Sequence, residues 1–158
     1  MAHAYRATVL WRRDRQDFTD NRYSRGHVWR FDEGLEVPAS SSPFVVPRHS
    51  VEAAIDPEEA FVASPSSCHM LFFLSFAARA GFTIDSYEDQ ARGEMAKNDA
   101  GKLYVARVTL RPVIVFSGDK RPAEADIAAL HHRSHEECFI ANSVRTEVVT
   151  EIMPPQFA

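Results

Sequence analysis

Only two residues in the chain have the chemistry of soft nucleophiles, Cys68 and Cys138, and they lie 70 positions apart. A thiolate attacks electrophilic oxygen or sulfur, ligates metal, and forms disulfides. Two cysteines do not make the disulfide framework of a small secreted protein. Three readings stay open at this point: buried packing residues, a metal site, or redox chemistry. Cys68 lies just after Ser64-Pro65, where a helix would either kink or restart, with Ser64 as cap if it restarts. In the first turn of such a helix, free amides and the dipole would favour a thiolate. Cys138 ends the stretch Pro122–Glu137, where Ile127, Ser134 and Cys138 share one helical face with Leu130 beside it. It is expected to point inward at a helix C-terminus, the weaker acid of the two.

The histidines offer a rival chemistry. His131, His135 and Cys138 follow i, i+4, i+7 spacing, and His69 adjoins Cys68. Cys68, Cys138, His131 and His135 could together bind zinc, although no Cys-x-x-Cys pair is present. Glu58 and Glu59 suit a first helical turn, and Arg25 and Arg48 suit a charged surface. No phosphate-binding glycine loop and no nucleophile elbow occurs.

The elements that must position these residues read as follows. Ala4–Trp11 and Tyr23–Phe31 are predicted strands, with a turn at Asp32-Glu33-Gly34 and a Ser/Pro-rich loop over Pro38–Pro47. Asp56-Pro57-Glu58-Glu59 starts a helix that must kink or restart at Pro65 and ends at Gly81. From Cys68 to Ala80 that helix is apolar on nearly every side, as a central helix is. Phe82–Lys97 and Leu103–Phe116 form a hairpin around Asn98–Gly101, Pro122–Glu137 is a second helix, and Ser143–Met153 is a last strand. The order implies an α+β fold and one domain over residues 1–158.

Bulk properties narrow the partners. The net charge is −4, which gives no general attraction to nucleic acid or anionic membrane. The run Met70–Phe76, broken by Ser75, is far shorter than the roughly 20 residues of a membrane span. The N-terminal residues lack the apolar core of a signal peptide, so a cytoplasmic location is expected.

Asp56-Pro57-Glu58-Glu59-Ala60-Phe61 followed by Ser67-Cys68 resembles the first-cysteine segment of the OsmC/Ohr family, whose Glu precedes the Cys by ten residues. His135-Glu136-Glu137-Cys138-Phe139-Ile140-Ala141-Asn142-Ser143-Val144 resembles its second-cysteine segment. Asp56 replaces the usual Asn of the pattern, and Phe139 the Pro common after the second Cys. The resemblance implies an OsmC-like fold, with antiparallel sheets around central buried helices in an intertwined homodimer. It implies reduction of organic hydroperoxides: Cys68 becomes a sulfenic acid, Cys138 condenses with it, and an external dithiol, lipoyl-type or a small thiol, resets the pair. It implies that Glu58 and an arginine assist, Arg25 in preference to Arg48, with no cofactor and no metal. A redox-inert binding protein on the same fold is the alternative.

Overall fold

In a computed structural model, residues 3–158 are described, and they form two compact units that divide after Ala60. In the first unit, β1 (Thr8–Leu10), β2 (His27–Arg30) and β3 (Glu36–Ala39) make an antiparallel sheet. β3 occupies the start of the predicted loop. Pro38 fits there because β3 is an edge strand, where a missing N–H breaks no ladder.

α1 (Pro57–Arg79) begins at the end of this unit and continues through the second. Its start is a reciprocal cap: the Glu59 N–H donates to Asp56 Oδ1 at 2.8 Å and the Asp56 N–H donates to Glu59 Oε2 at 3.1 Å. Of the two expectations at Pro65, a kink or a restart, the restart does not occur: Pro65 is buried inside one continuous helix. The lost backbone bond is outweighed by tertiary packing around the buried ring. Gly81, at φ +81°, ends the helix as no side-chain-bearing residue readily could, with the Phe82 N–H donating to the Ala77 carbonyl.

The second unit holds α2 (Glu124–Glu137) and two mixed sheets. The predicted hairpin is there, but each long arm is divided in two. β4 (Thr83–Asp89) pairs with β7 (Pro112–Ser117), and β5 (Arg92–Lys97) pairs with β6 (Leu103–Leu110). Asp89 marks the division, since its carboxylate accepts from the Arg111 N–H and from Ser66 Oγ of α1. The last predicted strand shortens to β8 (Glu147–Thr150), and β9 (Gln156–Phe157) follows it. β8 joins β6 and β9 joins β7 in parallel, so these sheets are mixed rather than purely antiparallel.

Packing follows from the apolar faces. Phe73, Phe76 and Ala77 of α1 meet Ile127 and Leu130 of α2 and Ile114 and Phe116 of β7. Phe61 and Val62, earlier in α1, pack on Val108, Leu110 and Val148 of the other sheet. At 23 residues, and with an 18-residue window of mean hydropathy 1.4, α1 is long and apolar enough to cross a membrane. Core helices meet the same criterion; α1 packs one face against α2 and two sheets, and 28% of that window is buried.

Candidate functional site

The continuous helix places Cys68 twelve residues into α1, away from the free amides of the first turn. The dipole argument for its reactivity therefore does not apply. Its surroundings come instead from the end of α2, where Cys138 is the C-cap residue and buried. The two residues, distant in sequence, are both free cysteines, and they lie near enough for Cys68 to act on the titration of the Cys138 thiol. Cys68 is half-buried, whereas Cys138 is 1% exposed.

Burial pushes the Cys138 thiol up to about 11, aided by the adjacent Cys68 and opposed by the Ala141 N–H. That N–H donates to Cys138 Sγ at 3.4 Å. The other side of the thiol faces the Pro65 carbonyl at 4.0 Å. Phe72 of α1 meets Phe139 edge-on, with ring centroids 5.3 Å apart, and covers the junction of the two helices.

One part of the surroundings was missed by sequence reasoning. His69 and His131 are buried, 1% and 3% exposed, and their rings stack within 17° of parallel. His69 Nε2 and His131 Nδ1 lie 2.9 Å apart. Burial holds both imidazoles down at about 4, with the charges of His131 and His135 adding to the effect on His69. Both rings are therefore neutral near pH 7 and share one hydrogen bond. The signal was available: position 131 continues the inward stripe of Ile127, Ser134 and Cys138. His135 and His132 are exposed. Among the described residues no three His, Cys, Asp or Glu side chains are grouped to hold a metal ion, so the four-residue zinc set is not assembled.

The remaining predicted site residues lie in the first unit. Glu59 is engaged in the α1 cap, and Glu58 is half-buried beside it. Arg25 is held by its own loop. Its guanidinium donates to the Tyr23 carbonyl at 2.6 Å and to Asn21 Oδ1 at 2.8 Å, and it lies 3.7 Å from the centre of the Tyr23 ring. Arg48 is exposed in the loop between β3 and α1.

Residues 50–153 match the family described as OsmC-like protein. No curated protein matches the chain. Among solved structures, an OsmC-like protein of unknown function from Vibrio cholerae is 55% identical, with a TM-score of 0.94 over 96% of this chain and 100% of that one. An OsmC-like protein from Mycoplasma pneumoniae is 13% identical, with a TM-score of 0.74 over 99% of each chain. An organic hydroperoxide resistance protein from Elizabethkingia anophelis is 14% identical, with a TM-score of 0.68 over 100% of this chain and 99% of that one. The last two likenesses concern the fold alone. The family match and the 55% identical relative agree, and the chain belongs to the OsmC-like protein family.

Proposed function

We propose that the protein is a cytoplasmic thiol peroxidase of oxidative stress defence, which reduces organic hydroperoxides through Cys68 and Cys138. The observation that carries this is the thiol pair itself: one half-exposed and one buried free cysteine, 70 residues apart in sequence, brought close enough for Cys68 to raise the Cys138 thiol. Cys68 is the attacking thiol, because it is the accessible one and burial disfavours a Cys138 thiolate. The Cys68 sulfur attacks the outer peroxide oxygen and the O–O bond breaks. The alcohol leaves with a proton, and Cys68 becomes a sulfenic acid. Cys138 then attacks that sulfur, water leaves, and the disulfide forms. A lipoyl-type or small external dithiol restores both thiols by exchange and is itself oxidised.

Glu58 and an arginine assist in this reading, Arg25 first and Arg48 second. A guanidinium beside the reacting thiol would stabilise thiolate and orient the peroxide. Ten residues of unbroken helix put about 15 Å between Glu58 and Cys68. Glu58 therefore serves the thiol of a second copy, and the active unit is a homodimer of single-domain chains.

Intact mass after one equivalent of cumene hydroperoxide tests the proposal. The expected product has lost two hydrogens. Cys68→Ser should not react, and Cys138→Ser should gain one oxygen and stall. An unchanged mass for the native chain would favour the redox-inert binding protein.

A further inference from the structure

α1 carries Cys68 and His69 in adjacent positions, and α2 carries His131 two turns before Cys138. The two helices that bring the thiols together are thus also joined by the imidazole pair, His69 Nε2 to His131 Nδ1 at 2.9 Å. We propose that this hydrogen bond is a positioning brace, which holds α1 and α2 at the separation where Cys68 and Cys138 form a disulfide. The inference deepens the peroxidase reading and rests on it for the redox role of the thiols.

The tautomers follow from the surroundings. His69 Nδ1 is buried with no hydrogen-bond partner. A proton there would be an unsatisfied buried donor, so the single proton of neutral His69 sits on Nε2 and is donated to His131 Nδ1. This leaves the His131 proton on its own Nε2.

The rest of the cluster is apolar. The His131 ring lies 4.4 Å from Phe73, within a core of Phe76, Phe116, Ile127 and Leu130. Two phenyl rings would fill this space without a polar atom to satisfy. A buried polar pair adds little stability over apolar groups of the same shape, but it adds direction. Apolar contacts such as Phe72 on Phe139 let helices slide, whereas a hydrogen bond weakens steeply with angle. The pair is close enough to the thiols for that restraint to matter, since His69 follows Cys68 directly.

The test is the equilibrium of the full-length protein with dithiothreitol. Oxidised dithiothreitol, a cyclic disulfide, takes two electrons and two protons from Cys68 and Cys138 and is released as the dithiol. The double variant His69→Phe/His131→Phe keeps two stacked rings, removes both polar partners together, and leaves no unpaired polar atom, so it should fold. Its equilibrium should shift roughly three- to tenfold towards the dithiol form. His131→Asn, which keeps an acceptor near the Nδ1 position, should stay within about twofold of the native protein. A purely structural role would lower the stability of the oxidised and reduced forms alike and leave this equilibrium unmoved. An unshifted double variant overturns the brace while the peroxidase reading stands. Equal shifts in both variants also overturn it, because the effect would not depend on the hydrogen bond. Failure of the native protein to form any disulfide overturns the peroxidase reading, and the brace with it.

Discussion

Mild acid should destabilise this protein through two buried histidines. His69 and His131 are each held from an ordinary 6.5 down to about 4, chiefly by burial. In the unfolded chain both would take up protons near 6.5, while in the folded chain they stay neutral. A depressed histidine favours folding fully above 6.5, and that contribution is lost as the pH falls from 6.5 towards 4. At about pH 5.5 the loss is roughly 1.4 kcal/mol for each ring and roughly 3 kcal/mol for the pair. That is a large part of the 5–15 kcal/mol typical of a folded domain. For a chain of this size it lowers Tm by about 5–10 °C. Thermal unfolding followed by circular dichroism, at about pH 7.5 and about pH 5.5, measures it. The variant His69→Phe/His131→Phe is the comparison, because it keeps the packing and cannot titrate at these positions. A native Tm that does not move over this interval, or an equal fall in the variant, would refute the reasoning.

Three further outcomes are expected. Arg25→Ala should slow oxidation of Cys68 about tenfold or more, the effect of roughly 1.4 kcal/mol, and Arg48→Ala should do much less; stopped-flow oxidation with cumene hydroperoxide ranks them, and the reverse order would transfer the role to Arg48. Gly93→Ala should destabilise by roughly 1–3 kcal/mol in urea unfolding, because a Cβ there would lie 2.5 Å from Val62 Cγ2 where β5 crosses α1. Leu71 and Phe139 are 61% and 68% exposed in the single chain. Burying each in a dimer would contribute roughly 1.5–3 kcal/mol before association costs. Sedimentation across micromolar dilution should therefore show a dimer throughout, and a folded, active monomer would contradict this.

The features legible in the sequence were those written in local pattern. Asp56-Pro57-Glu58-Glu59 specified a helix start by capping chemistry alone, and the cap formed with Asp56 and Glu59 as partners. The inward face of α2 was readable from Ile127, Ser134 and Cys138, all of which are buried. What escaped depended on distant partners. Pro65 marks a break by every local rule, yet the helix continues because the buried ring is packed by tertiary structure. The division of the hairpin arms turns on Asp89, whose acceptor role towards Ser66 and Arg111 joins three segments of chain. Pro38 concealed β3, since its tolerance at an edge is visible only once the sheet order is known. The proximity of Cys68 to Cys138 rests on helix packing that no spacing rule encodes.

The separation of the two thiols along the chain also has a consequence during synthesis. Cys68 leaves the ribosome 70 residues ahead of Cys138. At roughly 5–20 residues per second, a nascent chain carries the first thiol without its partner for about 4–14 s. α1 emerges in that interval with its apolar residues uncovered, because α2 has still to be made. Oxidants or small disulfides that reach Cys68 then meet a thiol with no neighbour to displace them. Arrival and docking of α2 end that interval, so folding of the C-terminal half also decides when Cys68 ceases to be a solitary thiol.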